Sequence, residues 1–201
     1  MNVRLEYDMN WRAAIWFEDR MQINDYNAEI SMYTNTTEQE DHVTCMARLN
    51  HFVYHELTDT MFINQHNQEQ LRALSAAGIK VTTLPEEPID QIIGIALYCK
   101  LNAILEERMI VTNVTIQSVL GDNVRYLHGS QESLGPCSDA GWWTDPGPVH
   151  SNFKPVTGGK RVVKLNRTPA WRDLDLGWSG TELPKNETNT VMFAKFPTDE
   201  N

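Results

Sequence analysis

Two periods of apolar residues run through the chain, and they alternate in blocks. Near the N-terminus, Val3, Leu5 and Tyr7 alternate with Arg4, Glu6 and Asp8, the period-two pattern of a half-buried strand. Residues 13–18 and 26–34 repeat that pattern. The polar pairs Met9-Asn10 and Asn24-Asp25 stand as links, so three strands in an antiparallel meander are expected. The period then lengthens. Val43, Met46, Leu49, Val53, Leu57 and Met61 form a helical seam, which predicts one long helix over residues 38–61. Thr37 and Glu40 stand at capping-box spacing before it. Asn67 and Gln70 predict a second helix ending at Gly78, followed by a short strand over residues 79–83.

The most strongly marked stretch is residues 84–129. Pro88 suits a first helical turn, and Glu86, Glu87 and Asp90 place negative charge at the positive end of a helix dipole. The residues from Ile89 to Leu105 are apolar nearly all round, as in a helix buried on most faces. Asp90, Gln91, Lys100 and Asn102 argue against a membrane span. Residues 109–120 return to period two. Ile110, Val114, Ile116 and Leu120 are expected on one face, and Met109, Val111 and Asn113 on the other. Gly121-Asp122-Asn123 then turns the chain into a strand over residues 124–128. Strands, then helices, then strands predict an α+β fold: an antiparallel sheet packed against two main helices. Residues 1–129 form its core. Residues 130–201, rich in glycine and proline, form a loop-rich extension on the same core.

Charge and cysteine content narrow the function classes. A net charge of −10 disfavours bulk nucleic acid and acidic membranes as partners. No secretory leader pattern opens the sequence, and Cys45, Cys99 and Cys137 are widely spaced. Both features predict reduced thiols in a cytoplasmic protein. The Asn-x-Thr triplets at Asn35, Asn113, Asn166 and Asn186 then carry no glycan.

Candidate chemistry gathers in the extension. Lys154, Lys160, Arg161, Lys164, Arg167 and Arg172 occur with no acidic residue between them. Thr157-Gly158-Gly159-Lys160 offers free backbone N–H groups beside an ammonium, a combination that suits an anion. The P-loop spacing is absent. Trp142, Trp143 and Trp171 supply faces on which a base can stack. The predicted ligand site is therefore Lys160, Arg161, Lys164, Arg167, Arg172, Trp142, Trp143 and Trp171. The competing reading pairs the basic residues with the protein's own acids and puts the tryptophans in the core. His51 and His55 stand at i, i+4 beside Glu56, a chelating spacing in the wrong order for HExxH. A solvated helix face is the simpler expectation, so no metal, cofactor or catalytic residue is assigned. Cys137, with His128 and His150 on either side, offers a thiol–imidazole alternative. Asp173 and Asp175 beside Trp171 and Trp178 offer paired carboxylates.

The run Leu84-Pro-Glu-Glu-Pro-Ile-Asp-Gln-Ile-Ile-Gly, the run Leu120-Gly-Asp-Asn-Val-Arg-Tyr-Leu-His and the Gly141-Trp142-Trp143 loop resemble the small accessory proteins of tailed bacteriophages, over residues 80–145. The resemblance implies a product acting in the host cytoplasm. Its role would be non-enzymatic: sequestering or blocking a host component, either a nucleotide-like anionic ligand or a host defence protein. A hydrolase or transferase with its site in the 128–178 loops is the alternative. A structural or assembly subunit, self-associating as a homo-oligomer, is the third.

Overall fold

In the computed structural model, residues 3–149 and 170–179 are described. They form an α+β fold: a six-stranded mixed sheet with three α-helices. β1 (Arg4–Phe17) and β2 (Arg20–Thr34) make one long antiparallel hairpin, in unbroken register from Arg4↔Tyr33 to Phe17↔Arg20. The expected links at Met9-Asn10 and Asn24-Asp25 are not turns. Their polar residues obey the strand alternation. Asn10 faces outward and accepts a 2.8 Å hydrogen bond from Asn27, and Arg12 lies 2.7 Å from Asp25 across the pair. The turn is Glu18-Asp19, both residues left-handed with φ of 48° and 57°. That is the geometry a two-residue hairpin needs to match strand twist, built here without glycine. Met9, Trp11, Ala13 and Ile15 face the core from β1, and Tyr26, Ala28, Ile30 and Met32 face it from β2.

β3 (Met61–Asn64) and β4 (Val81–Leu84) add to the free edge of β1, both parallel. β5 (Met109–Ser118) and β6 (Tyr126–Gly129) add antiparallel beyond β2. The strand order is β4-β3-β1-β2-β5-β6. The parallel additions leave no mark in the sequence pattern, because two four-residue strands carry too few residues to reveal direction.

β5 also departs from simple alternation. Its register against β2 shifts between Ser31 and Met32, so Val111 pairs with Met32 while Asn113 pairs with Ser31. The extra residue lets Met109 and Val111 share the buried face with Val114 and Ile116. Asn102 secures the bulge: its side-chain oxygen accepts the Val111 N–H at 3.0 Å, and its amide donates to the Val111 carbonyl at 3.3 Å.

α1 (Gln39–His51) begins without the expected Thr37–Glu40 box. Thr36 Oγ1 accepts the Glu38 N–H instead, at 3.1 Å. The helix continues as a π-helical turn over Phe52–Leu57 and stops there, so Met61 lies in β3 and not in the helix. α2 (Gln68–Ala76) buries no residue. α3 (Asp90–Leu105) is the central helix, buried along most of its length against β5. Gly94 sets how closely they meet: a Cβ there would come within 2.8 Å of Ile116 Cγ2. Gly94→Ala is expected to cost about 1–3 kcal/mol by overpacking, despite the roughly 1 kcal/mol that alanine gains in helix propensity. The midpoint of urea denaturation reads this directly.

Candidate functional site

Of the eight residues expected to form a ligand site, Lys160, Arg161, Lys164 and Arg167 lie outside the described residues. Arg172 is exposed, with Asp173 at 3.9 Å. The tryptophans are not displayed as free stacking faces. Trp143 is 3% exposed, and its indole N–H lies 3.0 Å from both the Cys137 and Asp139 carbonyls. Trp171 is buried and donates to the Pro146 carbonyl at 2.5 Å. Trp142 is half-buried, donates to the Thr83 carbonyl at 2.6 Å, and meets Trp143 edge to face. Large amphipathic rings can close a core while their one N–H finds a backbone carbonyl, and all three are used that way.

Cys137 is fully buried, and burial pushes its thiol up to about 12. A thiol held that far from ionisation is no nucleophile. His150 lies outside the described residues, and among them no cluster of three or more His, Cys, Asp or Glu could hold a metal ion. The His51 and His55 rings lie with centres 4.8 Å apart, tilted by 35°. Yet His51 is not on a solvated face: it packs on the edge of Trp171, with Glu56 at 3.5 Å.

The chain is π-helical here, with i→i+5 bonding that breaks the ordinary helical period, and Glu56 on this turn lies in the interior, where it accepts the Val149 N–H at 2.5 Å. Lys100, fully buried on α3, donates to the Asp145 and Gly147 carbonyls at 2.7 and 2.5 Å. Burial pulls its ammonium down to about 8, while Glu56 and Asp145 oppose the shift. Arg48 donates to the Ile104 and Leu176 carbonyls and to Glu106, and stands 3.8 Å from the centre of the Trp178 ring. These buried charges fasten the glycine-rich loop and residues 170–178 to the helices. Each has a protein partner, so the cluster is a structural fastening.

An open, chemically equipped cleft lies at the other end of the sheet. It has a volume of about 260 Å³ between the tip of the β1–β2 hairpin, the start of α3 and the turn after β5. Ile89, Leu120 and Tyr126 give it an exposed apolar rim. Asn24, Asp90 and Ser118, all buried, lie deeper in its wall.

Asp90 is 7% exposed, in the first turn of α3. Ser118 Oγ lies 2.8 and 2.7 Å from its two oxygens and also accepts the Gly121 N–H at 3.1 Å. A hydroxyl carries one hydrogen, so Ser118 can serve only one carboxylate oxygen at a time. Burial raises the Asp90 pKa, and the Ser118 hydrogen bonds oppose the rise. Gly121 allows this approach, since a Cβ there would sit 2.5 Å from Asp90 Oδ2. In the sequence Asp90 reads as a helix-start charge and Ser118 as one polar residue of a strand. Their separation of 28 positions conceals the pairing. Gly121 is the one local signal of a close approach, and in the sequence it reads equally well as a turn residue.

No family profile matches the chain, and no curated protein matches it. Some solved structures resemble it in part. One is the uncharacterized protein WS1659 from Wolinella succinogenes, at 8% identity, covering 65% of this chain and 99% of that one, with a TM-score of 0.48. The 6-pyruvoyl tetrahydropterin synthase from Plasmodium vivax matches at 10% identity over 64% of this chain and 97% of that one, TM-score 0.42. The Plasmodium falciparum enzyme matches at 8% over 63% and 96%, TM-score 0.38. Likeness of this degree carries no functional weight, and none of it bears on the phage resemblance. Among the described residues, no helix is long and apolar enough to cross a membrane.

Proposed function

We propose that the protein binds a small ligand in the cleft over Asp90, through an apolar ring system that carries adjacent N–H donors. The observation that carries this reading is a buried carboxylate facing an open, apolar-rimmed cleft, with only Ser118 as its side-chain hydrogen-bond partner among the described residues. A buried charge left short of partners costs stability, and such costs concentrate at functional sites. An amidine or amino-heterocycle donates to both oxygens of a carboxylate at once, the strong paired geometry of charge-assisted hydrogen bonds. Ile89, Leu120 and Tyr126 would cover its ring. The ligand class is opposite in charge to the anion expected from Lys160 to Arg172. Holding a ligand here meets the sequestering role implied by the phage resemblance, and no reaction is part of the reading.

Asp90→Asn tests it in two ways. The carboxyl has a folded-state pKa above its ordinary 3.8. The stability it contributes is therefore complete below that value and is lost as pH rises through the raised pKa. The asparagine variant is thus expected to be more stable than the parent at pH 7, with the difference shrinking as pH falls towards the ordinary carboxylate value of 3.8. Thermal shift with 2-aminobenzimidazole and benzamidine is expected to raise the parent Tm with concentration, and Asp90→Asn is expected to weaken that binding about ten-fold or more. Equal shifts in both proteins, or none in either, would remove the proposal.

A further inference from the structure

The tip of the β1–β2 hairpin brings a second carboxylate to the cleft over Asp90. Strand alternation would send Phe17 and Glu18 to opposite faces of the sheet, yet both line the cleft. Glu18 begins the turn, left-handed with φ of 48°, and the alternation ends there. It is exposed, and its side chain makes no hydrogen bond or ion pair among the described residues.

The charges on the cleft wall are of one sign. Among the described residues that line it, Asp90 and Glu18 are acidic, and none is a lysine, arginine or histidine. The two acids come from different elements and have different surroundings. Asp90 is buried in the first turn of α3, where the positive end of the helix dipole offsets on the order of half an elementary charge. A cation bound at Asp90 therefore meets less than a full negative charge. Glu18 stands on the hairpin, outside that helix, and carries its charge without the offset.

We propose that Glu18 is a specificity-determining residue of the cleft and that the ligand is a dication: an amidine or amino-heterocycle held at Asp90, with an alkylammonium arm that pairs with Glu18. This rests on the reading of the Asp90 cleft given above and adds a second charge to its ligand. The cleft, about 260 Å³, takes one ring and a short arm, less than a drug-sized molecule fills. The ring lies against Ile89, Leu120 and Tyr126, and the arm runs along Phe17 to the hairpin tip. A monocation leaves Glu18 in water, and an anion is repelled by both carboxylates.

The probes are benzamidines bearing an aminomethyl or a hydroxymethyl arm, each at the para or meta position. The twins are alike in size and differ by one positive charge. Titration calorimetry on the full chain reads their affinities. At low salt the better aminomethyl isomer is expected to bind about three- to five-fold tighter than its hydroxymethyl twin, the upper range for one exposed ion pair. Added salt is expected to shrink that preference. Glu18→Gln, at an exposed position and so harmless to folding, is expected to erase it. Asp19→Asn removes the same charge from the neighbouring turn residue, which does not line the cleft, and is expected to keep it. Asp90→Asn is expected to weaken both twins together. Equal affinity of the twins at both positions, or equal loss of the preference in Asp19→Asn and Glu18→Gln, would overturn the role of Glu18 while leaving binding at Asp90 in place. No binding of any probe to the parent would overturn both.

Discussion

Lys100→Ala is expected to destabilise the protein by about 3–5 kcal/mol, the usual cost of breaking a buried charge pair from one side. The ammonium is wholly enclosed, and its hydrogen bonds go to two carbonyls of the 145–147 loop. Removing it strands those carbonyls. It also withdraws a compensating charge from Glu56, which is itself buried and helps to sustain the Lys100 cation. Combining Lys100→Met with Glu56→Gln is expected to recover only the part of the loss due to the uncompensated Glu56 charge, since the glutamine oxygen can still accept the Val149 N–H while the Asp145 and Gly147 carbonyls stay unpaired. Urea denaturation of the two variants and the parent checks both statements. A loss below about 1 kcal/mol for Lys100→Ala would mean that the ammonium is effectively solvated.

Trp143→Ala is expected to cost about 3–5 kcal/mol, the range for emptying a buried aromatic site. The ring is packed against Trp142, and its N–H is shared by two carbonyls of the preceding turn. Gly141 makes room for it: a Cβ at that position would lie 2.5 Å from the indole edge. Trp143→Phe keeps most of the ring and loses the N–H, so a smaller loss is expected, on the order of 1–2 kcal/mol. The outcome separates the two readings of the tryptophans. A ring displayed for stacking would leave stability within about 0.5 kcal/mol on truncation and would act on ligand affinity alone.

Which parts of the fold are legible follows from how each signal is encoded. The central helix and the strand character of residues in β1, β2 and β5 are readable, because burial on one face or on all faces writes a period into neighbouring residues, whereas the number of N-terminal strands and the four-residue β3 are not. The helix cap is not, since several hydroxyls compete for the same N–H groups and Thr36, not Thr37, makes the observed bond. The bulge in β5 is invisible, because it is stabilised by Asn102, a residue on another element. The π-helical turn is also hidden. An i, i+4 histidine pair reads as one face of an ordinary helix, whereas the chain there is π-helical with Glu56 inside.

The sequence by itself determined the fold class, the identity of the buried helix and most of the inward-facing residues, since these depend on local periodicity. Tertiary structure alone decided that Lys100, Glu56 and Arg48 lie inside, that three tryptophans close the core in place of facing a ligand, and that Asp90 meets Ser118 and Gly121 beside a cleft. Each of those outcomes rests on a polar group finding a partner far along the chain. A hydrogen bond or charge pair of that kind leaves no periodic trace, because its energy depends on distance in space and not on spacing in sequence.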